Sequence, residues 1–229
     1  MSGPRGPLRV GVGGPVGSGK TALIERLVPI LIGHGVEVAV VTNDIFTRED
    51  EAHVKAALRG VLEEGRIVGV ETGACPHSAV REDPSLNLQA LRHLVERYPD
   101  LDLIFVESGG DNLTLTFSPE LVDVYIYVVD VAGGDKIPRK RGTGLMLADL
   151  LVINKVDLAP FVGADMDVMT GDARLVRGGR AQLLTNCRSG EGVAKVEEWV
   201  RNALIGDRND SEGWTIAGHS HSHKSQSIG

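Results

Sequence analysis

Cysteine is scarce in this 229-residue chain: only Cys75 and Cys187 are present. That is too few for a disulfide framework, so each stands as a small buried apolar residue or a metal thiolate. Long apolar runs are lacking too. No uninterrupted stretch approaches the ~20 residues that span a bilayer, and the amino terminus lacks the roughly 7–15-residue apolar segment of a signal peptide. These absences argue against a membrane role and lead to the expectation of a cytoplasmic protein. There is no stripe of Lys and Arg, and the formal net charge is −7. A dedicated nucleic-acid binder, whose affinity rests on neutralising phosphates, is therefore not expected. No internal repeat is visible.

What is present is 42% hydrophobic residues, enough for one sizeable core, and 29 glycines that cluster at the ends of apolar runs, where tight turns fall. The runs Leu8–Val12, Val36–Thr42, Ile67–Val70, Leu101–Val106, Val124–Asp130 and Leu150–Ile153 are rich in Val and Ile and read as buried parallel strands. Between them Lys20–Ile32, Glu49–Leu58, Leu86–Arg97 and Val193–Leu204 carry helix-spaced apolar residues. This alternation predicts an α/β fold with a doubly wound, mostly parallel sheet. Pro29 predicts a kink or early end in the first helix. Phe161–Gly179 reads as a surface excursion. Residues 8–205 are expected to form one domain. The Gly/Pro-rich segment 1–7 and the polar, His-bearing segment 206–229 are expected to be disordered.

Gly14-Pro15-Val16-Gly17-Ser18-Gly19-Lys20-Thr21 matches the phosphate-binding pattern G-x-x-x-x-G-K-[ST] and sits where that pattern must sit, after a strand and opening a helix. Gly14, Gly17, Ser18 and Gly19 would turn backbone N–H groups around the phosphates, helped by the positive end of the helix. Lys20 would reach the β- and γ-phosphates, and the Thr21 hydroxyl would ligate Mg²⁺. Asn154-Lys155-Val156-Asp157 follows an apolar run and so lies at the carboxyl end of a strand, where open α/β sheets bind ligands. Asp157 can accept hydrogen bonds from guanine N1–H and its exocyclic amine, a donor pair adenine lacks, which selects GTP over ATP. Lys155 would lay its stem on the base and Asn154 would tie this loop to the phosphate loop. Thr185-Asn186-Cys187-Arg188 would close over the base with backbone groups, which favours a structural role for Cys187. Asp44 and Glu107 sit at strand ends facing the γ-phosphate and are the candidate catalytic or Mg²⁺-side acids. Glu49 is a weaker candidate that serves equally well as a helix N-terminal acid.

Cys75-Pro76-His77 places a thiolate and an imidazole two residues apart, on one side of extended backbone. Two ligands are too few for a closed site. A twofold dimer would supply four and make an S₂N₂ site suited to Ni²⁺ or Zn²⁺. A partly buried Cys beside a surface His is the competing reading. His219, His221 and His223 alternate with serine, and either chelate metal weakly or form a solvated tail.

Taken with Asn43–Thr47, Glu71–His77, Arg81-Glu82-Asp83, Phe105–Asn112 and Lys136–Lys140, these motifs resemble the nickel-delivering urease accessory GTPases of the UreG family, over about Leu8 to Leu204. The resemblance implies a P-loop GTPase that forms a homodimer across its nucleotide sites and binds GTP, Mg²⁺ and Ni²⁺, with Zn²⁺ possible at the same site. It also implies work with accessory proteins of the UreF, UreD/UreH and UreE kinds to load apo-urease. By position, Gly14–Thr21 would bind phosphate, Asn154 and Asp157 guanine, and Cys75 with His77 nickel. Ala74 stands where that family usually has glycine, and Arg141–Asp149 is less glycine-rich than its usual counterpart. A hydrogenase-type nickel GTPase, a P-loop small-molecule kinase and a metal-storage protein are the alternative functions.

Overall fold

A computed structural model describes residues 6–44, 49–72, 78–110 and 113–209. Seven strands, β1 (Leu8–Gly13), β2 (Val38–Asp44), β3 (Ile67–Glu71), β4 (Leu103–Glu107), β5 (Val124–Asp130), β6 (Leu150–Asn154) and β7 (Gln182–Leu184), form one sheet in the order β3-β2-β4-β1-β5-β6-β7. Every pairing is parallel; β1 lies between β4 and β5, with Val12 opposite Glu107 on one side and Ile126 on the other. The helices are α1 (Lys20–Gly33), α2 (Glu49–Ala57), α3 (Ser85–Arg97), α4 (Thr143–Leu147), α5 (Ala159–Val162), α6 (Met166–Val176) and α7 (Val193–Asn209). From β1 the chain moves outward to β2 and β3, then returns to β4 and proceeds the other way. The connections therefore reverse direction beside β1, and the crevice at the carboxyl ends of β1 and β4 is a topological switch point.

The period-2 alternation of the strands decides which helices pack where. Val10, Val12, Phe105, Ile126 and Val152 face α1, α2 and α7. Val41, Ile104, Val106, Tyr127 and Ile153 face the opposite layer, built from α3, α6 and the segment carrying Leu115 and Phe117. On that side β1 has glycine: a Cβ on Gly11 would lie 2.9 Å from the Phe117 ring. That ring also packs against Tyr125, with centroids 5.7 Å apart. The crossover between β4 and β5 is thus stapled to the sheet by an aromatic that fits only over the glycines of β1.

The doubly wound parallel sheet agrees with the sequence expectation, and three local expectations need correction. The first helix does not end early: α1 runs through Pro29 to Gly33. Pro29 is exposed, whereas Leu27, Val28 and Leu31 beside it are fully buried. Burying three such side chains at ~1.5–3 kcal/mol each outweighs the ~3 kcal/mol cost of an interior proline. Within Phe161–Gly179, where the sequence predicts a surface excursion, Met166–Val176 is a helix. Asp165 caps it by accepting from Asp167 N and Val168 N, and Met169 and Ala173 are buried against the sheet. A seventh strand, β7, adds to the edge of β6 with only three residues, too few for alternation to show. Arg177, 3% exposed, locks this region by donating to the carbonyls of Leu145, Ala148 and Ala181. Burial first, then the neighbouring Arg180, pulls its pKa down to about 10. Among the described residues no helix is long and apolar enough to cross a membrane. Segments 1–5 and 210–229, with the histidines of the tail, lie outside the described residues.

Candidate nucleotide site

Between the end of β1 and the start of α1 the backbone passes through φ values of 145° at Gly14, 73° at Gly17 and 100° at Gly19. L side chains avoid these values, and at Gly14 and Gly19 space forbids them as well. A Cβ at Gly14 would meet the Val128 carbonyl oxygen at 2.1 Å, and one at Gly19 would meet Asn154 Nδ2 at 2.2 Å. No side chain caps the amino terminus of α1 and no acidic residue occupies its first turn. The helix's first N–H donors and positive dipole end are therefore left for an anion. Lys20, 6% exposed, folds along the loop, with Nζ donating to Gly14 O at 3.1 Å and Pro15 O at 3.3 Å. Ser18 is fully buried, and its Oγ has no hydrogen-bond partner among the described residues.

Glu107 ends β4 and is 2% exposed. Its Oε1 accepts a 2.7 Å hydrogen bond from Thr21 Oγ1, which brings together two of the groups expected near a Mg²⁺ ion. Ser108 Oγ, buried next to it, has no hydrogen-bond partner among the described residues. A hydroxyl and a carboxylate are hard oxygen donors of the kind Mg²⁺ takes, so the residues present fit that ion. When bound it would neutralise charge on the β- and γ-phosphate oxygens. Asp44 ends β2 in register with Glu71; its side chain, like that of Glu49, lies outside the described residues.

The other end of the crevice is a cavity of about 390 Å³ lined by Gly19, Glu25, Arg26, Lys155, Asp157 and Arg188, among others. Asn154 is its organiser. Nδ2 donates to Ser18 O at 3.0 Å, while Oδ1 accepts from Thr185 Oγ1 and Cys187 N, each at 3.1 Å. One side chain thereby joins the phosphate loop, the end of β6 and the loop after β7. Lys155 adopts a left-handed φ of 58°. It reaches back to Gly17 O and to Asp130 Oδ2, the latter at 3.4 Å. Asp157 is exposed at the rim. Arg26 on α1 holds the loop after β7 through Cys187 O at 2.8 Å and Arg188 O at 2.6 Å. Cys187 is buried, and burial pushes its thiol pKa up, the opposite of what a reactive thiolate requires. A larger cavity of about 590 Å³ lies at the far, amino-terminal edge of the sheet. The Arg9–Asp123 ion pair borders it, and none of the phosphate-loop or base-loop residues lines it.

Cys75 and His77 lie outside the described residues. Among the described residues no three His, Cys, Asp or Glu side chains gather as a metal centre. Three residues that sequence reasoning passed over matter here: Arg26 and Asp130 belong to the site or its support, and Asn87 is buried on α3 outside the cavity. Asn87 carried a legible signal, because it occupies a buried position on α3 in the series Asn87, Ala90, Leu91, Leu94. A polar residue in an apolar stripe needs a partner. Arg26 and Asp130 gave no such signal, since surface charges on a helix and at a strand end are commonplace.

The fold and loop geometry define a P-loop nucleotide-binding protein. Residues 8–183 match the CobW/HypB/UreG nucleotide-binding domain family. The chain is 61% identical over 197 residues to urease accessory protein UreG of Yersinia enterocolitica, covering 86% of this chain and 89% of that one. It is similar in structure to hydrogenase maturation factor HypB from Archaeoglobus fulgidus, with TM-score 0.67 and 27% identity over 86% of this chain and 90% of that one. HypB from Helicobacter pylori, solved in complex with nickel, gives TM-score 0.73 at 18% identity over 91% and 92% of the two chains, a likeness of fold. The chain belongs to the UreG family of urease accessory proteins.

Proposed function

We propose that this protein binds and hydrolyses GTP, and that it couples hydrolysis to the delivery of nickel into apo-urease as a cytoplasmic homodimer. The observation that carries the nucleotide reading is the Asn154 bridge, which fixes the Asn154–Asp157 loop at a set distance from the phosphate loop. Asp157 at the rim of the cavity would accept the N1–H and exocyclic amine of guanine. Lys20 would leave the carbonyls of Gly14 and Pro15 for the β- and γ-phosphates. Water would add at the γ-phosphorus while the β–γ bridging oxygen leaves with GDP. Lys20 and the α1 amino terminus would stabilise the charge that develops there. Glu107, held by Thr21, would orient groups at the γ-phosphate, with Asp44 as the second acid.

Nickel is the cargo in this reading. Cys75 and His77 from two subunits would complete a four-coordinate site, with Zn²⁺ as a competitor. Metal binding would then draw the monomer–dimer equilibrium forward. Support comes from the 61% identity to a urease accessory protein against 27% to a hydrogenase maturation factor, which favours urease over hydrogenase as the recipient. Proteins of the UreF, UreD/UreH and UreE kinds would be the working partners. Calorimetric nickel titrations with and without a non-hydrolysable GTP analogue test the coupling, with light scattering to follow the dimer. One Ni²⁺ per dimer, bound more tightly with the analogue, is expected. One Ni²⁺ per monomer, indifferent to nucleotide, would refute the shared site.

A further inference from the structure

Asn43 at the end of β2 and Asn87 on α3 are both fully buried, and their side-chain amides face each other. Asn43 Nδ2 donates to Asn87 Oδ1 at 3.0 Å and to Glu107 O at 2.8 Å. Asn87 Nδ2 donates to Asn43 Oδ1 at 2.8 Å and to Ala79 O at 2.9 Å. The two backbone carbonyls can only accept, which fixes the orientation of both amides. Glu107, the residue whose carbonyl is held here, is also the one whose carboxylate takes the Thr21 hydroxyl. Ala79 belongs to the π-helical turn Ser78–Glu82, which starts one residue after His77. Turns of this kind are rare and need outside support. The contacts run without a gap from Thr21 through Glu107, Asn43 and Asn87 to Ala79.

We propose that Asn87 is a positioning residue: paired with Asn43, it transmits occupation of the γ-phosphate end of the nucleotide site to the turn that follows Cys75-Pro76-His77. This rests on the reading above that nucleotide and nickel binding are linked, and it names the connection between them. Four hydrogen bonds in a buried pair leave no slack, because water cannot substitute for a partner that moves away. When Thr21 and Glu107 rearrange around a bound triphosphate, a shift of the Glu107 backbone must move Asn43. Asn43 can move only with Asn87, and Asn87 carries the Ala79 carbonyl. Asn87 itself touches no expected nucleotide contact.

The test is amide hydrogen exchange of residues 78–88 in the full chain, with and without Mg²⁺ and a non-hydrolysable GTP analogue. Calorimetry on the same samples gives the nucleotide affinity. In the wild type, nucleotide should slow exchange in this segment. Asn87→Ala should keep GTP-analogue affinity within about threefold, yet lose the slowing and the nucleotide-induced gain in nickel affinity, a coupling of roughly 5–150-fold. Leu94→Val, an apolar change in the same helix away from the pair, should keep both. Should Asn87→Ala not fold, Asn87→Asp keeps the shape, replaces the donor by an acceptor and gives the same comparison. Wild-type slowing in the Asn87 variants would overturn the proposal. So would a wild type that binds nucleotide without any change at residues 78–88, while leaving the GTP reading intact. A wild type that binds no GTP would overturn the functional reading itself, and the relay with it.

Discussion

At the phosphate end of the crevice the cradle is made of backbone, with the Lys20 side chain folded along it, and at the base end the site is made of side chains. Gly14 and Gly19 approach neighbours so closely that a methyl group would lie 2.1–2.2 Å from the Val128 carbonyl or the Asn154 amide. The base end depends on what Asn154, Lys155, Asp157 and Arg26 donate and accept. The difference predicts two kinds of failure. Changes at the phosphate end should destroy the cradle by steric conflict or loss of charge, whatever the nucleotide. Changes at the base end should leave a cradle that no longer reads its ligand.

The largest effect is expected from Gly14→Ala. The new methyl would face a backbone carbonyl, which cannot swing aside, at a φ of 145°. A loss of about 2–4 kcal/mol of stability should follow, with no measurable binding of GTP or ATP; thermal unfolding and calorimetry give the two quantities. Unaltered binding would mean that the loop reshapes on loading. Lys20→Ala comes next. Removing the buried cation folded along the loop should lower single-turnover GTP hydrolysis by roughly 10²–10³-fold, with little change in melting temperature. Wild-type hydrolysis would remove Lys20 from the site.

Asn154→Ala attacks the joint between the two ends. Three hydrogen bonds disappear and the buried Ser18, Thr185 and Cys187 groups lose a partner. A cost of about 2–3 kcal/mol should therefore show in stability and in GTP affinity together. If only stability falls, the two ends are set independently. The smallest effect belongs to Asp157→Asn, at an exposed rim position. Competition between GTP and ATP should show the preference for GTP falling by about 10–100-fold, because an amide cannot accept both guanine hydrogen bonds. Stability should stay within about 0.5 kcal/mol. An unchanged preference would place base recognition elsewhere in the cavity.

Legibility followed the same division. The phosphate loop could be read because glycine spacing, a strand before it and a helix after it are all local in the chain. The strand Val124–Asp130 was read to the residue, since a continuous Val/Ile/Tyr run bounded by acids admits little else. The base loop was legible as a motif, but its dependence on Arg26 was not: Arg26 meets Cys187, which lies 161 positions further along the chain. Helix α6 was passed over because its buried contribution is only Met169 and Ala173, too thin a stripe to stand out among acids and glycines. The early helix end that proline allowed at position 29 does not occur, because the burial of its neighbours carries the helix on to Gly33.

The sequence by itself determined the elements that depend on near neighbours: the alternation of strands and helices, the glycine-built phosphate loop and the guanine-type loop at a strand end. Each rests on backbone sterics and hydrophobic periodicity, which act over a few residues. Only the tertiary structure decided that β4 inserts between β2 and β1, and that Phe117 fills the space left by Gly11. It alone brought Glu107 to Thr21, and Asn43 and Asn87 together in a dry interior. Those contacts join residues from 44 to more than 100 positions apart. Their partners are fixed by which polar groups the packed sheet buries and must satisfy, a condition that exists only once the layers have closed.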